Sequence, residues 1–200
     1  SYIRTTTLRS VEFNLQQMAA SVQSSLDTAR NLLNWASTDS TLRRYLTVSQ
    51  VNGLLTTSAY ETFSDRYLSS QLQTRIIRFF VTDGGGRFLQ QGNVTTSAGL
   101  NADTVPLFDG PDNVLTFEED PLLPSHPTCL VLRREIRPDS DKAYTGWIYL
   151  GLDTSVITGA ADSYIMPDEG VLYWRMGEQI WRLDGRRLSL VENGLDLEPY

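Results

Sequence analysis

Leu8, Val11, Leu15, Met18, Val22, Ser25, Ala29, Leu32 and Ala36 recur at alternating steps of three and four. That spacing holds side chains on one stripe of an α-helix. Ser25 is the polar member, and Leu26 beside it can take over the contact. The pattern predicts a helix from about Arg4 to Asn34, on the order of 45 Å long if continuous. Gln16, Gln17, Gln23, Ser24 and Arg30 fill its wet side. Ser37-Thr38-Asp39-Ser40 breaks it, and Asp39 or Ser40 can cap a short helix through Leu42 and Tyr45. The stripe serves packing on the chain's own sheet or a seam with a second copy, and different portions can do each.

Tyr60, Phe63, Tyr67, Leu68, Leu72 and Ile76 recur near the helical period and predict a second amphipathic helix over 58–77, with Arg66 and Arg75 off its stripe and solvated. Short β-rich runs follow. Arg78–Asp83 and Arg87–Leu89 flank Gly84-Gly85-Gly86 and predict a hairpin. A phosphate-binding loop would need a helix after the glycines and a Lys-Ser/Thr pair, and Arg-Phe-Leu-Gln stands there instead. Residues 94–127 hold five prolines and read as a long irregular excursion with a short strand at Val114–Phe117, the kind of loop that forms a lid or binding loop. Cys129–Ile136 and Tyr144–Asp153 predict an antiparallel pair turning at Pro138–Asp141. Thr154–Ile157 looks like a capped helix start, Val171–Met176 and Gln179–Leu183 a further hairpin, and Arg187–Val191 a third strand.

Composition narrows the use of these elements. Two hundred residues, 40% of them apolar, can bury one good core with a small appendage. No run is long and apolar enough to cross a bilayer, and no signal-peptide pattern opens the chain. It begins inside a helix pattern and reads as a soluble fragment of a longer protein. The net charge of −7 argues against a nucleic-acid partner. Six acids and no base lie within 101–125, including Glu118-Glu119-Asp120.

Catalytic chemistry finds little footing. The lone His126 sits in Pro-Ser-His-Pro without a second His or a Cys partner at useful spacing. Cys129 heads an apolar run and reads as a packed thiol. Asp103, Asp109 and Asp112 lack the alternating spacing of a calcium loop, so no metal and no cofactor is expected. No nucleophile elbow, metal-spaced His pair or phosphate loop is present, and the fragment is expected to be non-catalytic.

The order of a long helix, a second helix, Ile77-Arg-Phe-Phe-Val-Thr-Asp-Gly-Gly-Gly-Arg-Phe88 and then Gly146-Trp-Ile-Tyr-Leu-Gly-Leu-Asp153 resembles a Cache domain over residues 5–160. Cache domains are the PAS-like extracytoplasmic sensors of bacterial receptors. The resemblance implies an α+β fold: a long N-terminal helix (1–46) on a five- to six-stranded antiparallel sheet (47–165). Residues 166–200 form a C-terminal hairpin appendage or the start of a second unit. It further implies a small-molecule cleft on the other face, a location outside the cell membrane, and an anchoring transmembrane helix before Ser1. Such domains sit in sensor histidine kinases, chemoreceptors and cyclic-nucleotide signalling enzymes; a two-component sensor histidine kinase is the parent the resemblance implies first, with a receptor of chemoreceptor or cyclase type as the alternative. The amino-acid-binding signature of such domains, Arg-x-Trp-Tyr, is missing, since neither Arg66-Tyr67 nor Arg75 is followed by Trp-Tyr.

Strand alternation suggests where a ligand sits. Ile148, Leu150 and Leu152 form an aliphatic set suited to the long helix, whereas Trp147 and Tyr149 carry polar tips suited to a pocket. Arg133 can offer a guanidinium fork beside Tyr149, or pair with Glu135 or Asp153 at the surface. Arg133, Trp147 and Tyr149 are thus the candidate ligand residues. Two functions compete: sensing of a small molecule with transmission through the N-terminal helix, or a protein-interaction module using the helix stripe for a homodimer and Tyr173, Trp174 and Trp181 for docking, without a small-molecule ligand.

Overall fold

The heptad-like stripe forms α1, Tyr2–Thr38, in the computed structural model of the chain. Residues 2–83, 86–93, 110–120, 127–136, 146–162, 171–176, 178–184 and 187–191 are described. They fall into two compact units, 27–153 and 1–26 with 154–200. Met18, Val22, Leu26, Ala29, Leu32 and Ala36 are buried, and Leu26 takes the place beside half-buried Ser25 as its position suggests. The helix runs past its expected end, its last turn closed by the Asp39 amide donating to the Trp35 carbonyl at 2.9 Å, while the hydroxyls of Ser37 and Thr38 both donate to the Asn34 carbonyl at 2.9 Å.

Asp39 then ends α1 and caps α2, Ser40–Thr47: its carboxylate accepts from the Thr41 and Leu42 amides at 3.1 Å each. Replacing Asp39 with Ala is expected to cost about 1 kcal/mol, the usual loss at an N-cap, read as a shift of the urea midpoint.

α3 spans Gly53–Leu68 rather than 58–77. Asn52 sets the earlier start, its side-chain oxygen accepting from the Leu55 amide at 2.8 Å. Leu72 and Ile76 leave the helix and reach the core through a 3-10 turn, Gln73–Arg75, and the strand after it. The buried face is Ala59, Phe63 and Tyr67, spaced by four, while Tyr60 is 53% and Leu68 56% exposed. Arg66 is not simply solvated; its guanidinium lies 5.4 Å from the centre of the Trp35 ring.

Five strands make the antiparallel sheet: β1 Ile76–Thr82, β2 Phe88–Gln91, β3 Thr116–Glu119, β4 Thr128–Ile136 and β5 Gly146–Leu152, in the order β2-β1-β5-β4-β3. A strand, not a helix, follows the triple glycine, so the hairpin expectation holds there. Arg87 braces that hairpin against α2, donating to the Tyr45 carbonyl at 3.1 Å and the Ser49 carbonyl at 3.2 Å. β3 starts two residues later than expected, with Val114 exposed and Leu115 buried ahead of it.

Register assigns the faces. Phe79 pairs with Leu150, which pairs with Leu132; Ile148 joins Val81 to Arg134. Phe79 stacks on Phe63 with centroids 4.4 Å apart, and Phe63 meets Trp35 of α1 at 6.4 Å. Arg134 donates to the Asn34 side-chain oxygen and lies 3.4 Å from Ser37 Oγ. The aliphatic set Ile148, Leu150 and Leu152 therefore faces the helices, as its composition indicates.

In the other unit, α4 covers Ser155–Asp162, and β6 Leu172–Met176, β7 Gln179–Asp184 and β8 Arg187–Leu190 form a three-stranded antiparallel sheet. Trp174 and Trp181 pair directly across it, and Ile180, Trp181, Leu183 and Leu188 are buried. Asp103, Asp109, His126 and the turn at Pro138–Asp141 lie outside the described residues.

Candidate functional site

The sheet face turned away from the helices carries long polar side chains over an apolar floor. Its rows follow the register: Thr82, Trp147 and Glu135; then Phe80, Tyr149 and Arg133; then Arg78, Gly151, Val131 and Thr116. Ile77, Phe80, Cys129, Val131 and Tyr149 form one buried cluster, with Phe88 packed on it and stacked 5.6 Å from Phe80. A β-bulge between Ile76 and Arg78 resets the alternation and brings Ile77 into this cluster as well. Gly151 supplies the space in the middle: a Cβ there would come within 3.2 Å of the Tyr149 ring, which lies over it.

Two arginines cross this face, each held by an acid from β3 or its end. Arg78 and Asp120 are both 0% exposed, joined by Nε and Oδ2 at 2.8 Å. Arg78 Nη1 donates to the Gln90 amide oxygen at 3.2 Å. Among the described residues, Arg78 Nη2 is buried and has no hydrogen-bond partner. Asp120 is fixed by its own amide, which donates to the Pro127 carbonyl at 3.0 Å.

Arg133 is also buried. Its Nη2 lies 2.5 Å from Glu118 Oε2, while Thr116 Oγ1 donates to the same carboxylate oxygen at 2.6 Å. Backbone covers the guanidinium closely at Gly110, where a Cβ would stand 3.0 Å from Arg133 Cζ, so no larger residue fits without moving the arginine. The Asn113 amide reaches the Arg133 carbonyl at 2.9 Å and Asp112 accepts from the Glu135 amide at 2.8 Å, extending the edge beside β4.

Electrically this face disfavours added negative charge. Burial, then Asp120 and Cys129, push the Tyr149 hydroxyl well above the ordinary tyrosine range, against the pull of Arg133 and Arg78. Burial, then Asp120 and Asp153, push the Cys129 thiol up to about 12. At neutral pH the phenol keeps its proton and the thiol is not a nucleophile. Donors over an apolar, aromatic floor can hold an oxygen-bearing small molecule.

Of the three residues singled out from the sequence, Arg133 and Tyr149 are cross-strand partners and Trp147, half-buried, stands in the next row on the same face. Arg133 pairs with Glu118, an acid on the neighbouring strand that the sequence reading did not offer it. The run Glu118-Glu119-Asp120 is no loop of solvated acids: strand alternation turns Glu118 and Asp120 to the arginines and leaves Glu119 exposed. Sequence reasoning missed Arg78, Asp120 and Gln90. Ile-Ile-Arg-Phe-Phe-Val-Thr held the signal, because a guanidinium inside a strand apolar on both faces must be buried and needs an acid.

No family model and no curated protein matches this chain.

Proposed function

We propose that this chain is the extracytoplasmic ligand-sensing part of a membrane signal-transduction receptor, of the Cache type its sequence resembles, in a two-component sensor histidine kinase. One observation carries it. Arg133 and Arg134 are neighbours on β4, yet the first lies in the buried polar face beside Tyr149 and the second holds Asn34 and Ser37 of α1. Anything that shifts β4 from the polar side moves the anchor of the long helix. The stack from Phe79 through Phe63 to Trp35 gives β1 a second connection to the same helix.

A small molecule bound among Arg133, Trp147 and Tyr149 changes the receptor only as far as it binds one arrangement of this sheet more tightly than another. A closely packed interface converts such a bias into a tilt or slide of α1. The five-stranded antiparallel sheet with the C-terminal turns of a long helix on one face agrees with what the resemblance implies.

A thermal-shift screen of organic acids, sugars and amino acids identifies a binder, since selective binding to the folded chain raises Tm. Calorimetry on Trp147→Ala combined with Tyr149→Phe is expected to give at least a tenfold weaker Kd with folding retained. The phenylalanine keeps the buried ring in place. Unaltered affinity in that double variant would remove these residues from the site.

A further inference from the structure

Resting on the sensing role just given, we propose that Arg78 Nη2 is the anchor for an uncharged oxygen of the ligand, a carbonyl, amide or hydroxyl. Arg78 is 0% exposed, and two of its three nitrogens are already engaged, Nε by Asp120 and Nη1 by Gln90. Among the described residues Nη2 has no acceptor, and a buried charged N–H left so carries a desolvation penalty that no hydrogen bond offsets. An acceptor arriving with the ligand recovers it.

The charge balance selects the kind of acceptor. Each guanidinium on this face already has its carboxylate, Asp120 for Arg78 and Glu118 for Arg133. A further carboxylate would bring uncompensated charge into a buried region, whereas a neutral oxygen would not. Gln90 shows the type: the acceptor at Nη1 is an amide. The raised Tyr149 and Cys129 groups report the same preference, both being held in their uncharged forms by burial first and by Asp120 next. Arg78 pairs with Gly151, which has no side chain, and the Tyr149 ring lies over that glycine. The anchor thus belongs to the same face as the residues already assigned.

The experiment is a thermal-shift screen with follow-up calorimetry on the 1–200 chain, using matched neutral and acidic probes: galactose with galacturonate, and benzamide with benzoate. The expected result is stabilisation by a neutral member over its acidic partner, with Kd raised at least tenfold in Arg78→Lys. In Asp120→Asn, which keeps an oxygen for Nε but removes the balancing charge, the preference should move toward the acidic member. That switch keeps the test decisive if Arg78→Lys does not fold.

Equal or better binding of the acidic members by the unaltered chain overturns the proposal. So does a crystal soaked with the binding probe in which Nη2 meets an ordered water alone. Binding that survives Arg78→Lys but disappears in Trp147→Ala rejects the anchor and leaves the sensing role intact. Binding indifferent to both substitutions, or stabilisation by none of the probes, rejects the two together.

Discussion

Asp120→Ala is expected to destabilise the chain by about 3–5 kcal/mol, the range for breaking a buried ion pair by removing one partner. Asp120 and Arg78 are both wholly buried, and the 2.8 Å contact between Nε and Oδ2 is the arginine's charged bond. Without it, a guanidinium with one nitrogen already unpartnered among the described residues would keep the neutral Gln90 amide and lose its carboxylate. Domain stabilities of about 5–15 kcal/mol make that a large fraction of the whole. Urea unfolding at neutral pH measures the loss. Combining Arg78→Met with Asp120→Leu removes both charges and should recover most of it, since apolar residues of similar size often replace a buried pair without penalty. A loss below about 1 kcal/mol in Asp120→Ala would mean that the pair is solvated.

Phe63→Ala should cost a comparable amount, about 3–5 kcal/mol, as large-to-small substitutions of buried aromatics do. The ring is fully buried between Phe79 of the sheet and Trp35 of α1, so its removal opens a cavity at the junction of three elements. Urea unfolding gives the magnitude. Hydrogen exchange adds location: amides of Leu32, Leu33 and Ala36 should lose protection more than those of β4, because the helix loses its aromatic contact while the sheet ladder remains. Uniform loss across both would show that Phe63 supports the core without serving the helix.

The long helix and the strands were readable because each is governed by one local rule. A stripe at steps of three and four predicted α1, and alternation within 146–153 separated the helix-facing Ile148, Leu150 and Leu152 from Trp147 and Tyr149. Local rules failed where the partner is distant. Tyr60 fits the helical period yet faces solvent, because the face of α3 that gets covered is decided by Phe79 of a strand outside the helix. Glu118 and Asp120 looked like an acidic loop because their arginines lie elsewhere in the sequence, with Arg78 42 positions from Asp120. The bulge at Ile77 left no trace in the amino-acid order, yet it decides which side of the sheet that residue joins. Part of the candidate site was therefore legible from alternation, while its most buried cation was not.

The adjacency of Arg133 and Arg134 has an evolutionary corollary. Neighbouring positions in a pleated strand point to opposite sides, so deleting or inserting a single codon within 128–132 would exchange the two guanidiniums and every residue in phase with them. The Arg133–Glu118 pair on one face and the Arg134 hold on α1 on the other would then be lost in one step. Diversification of this strand should proceed by point replacement, with its length held constant.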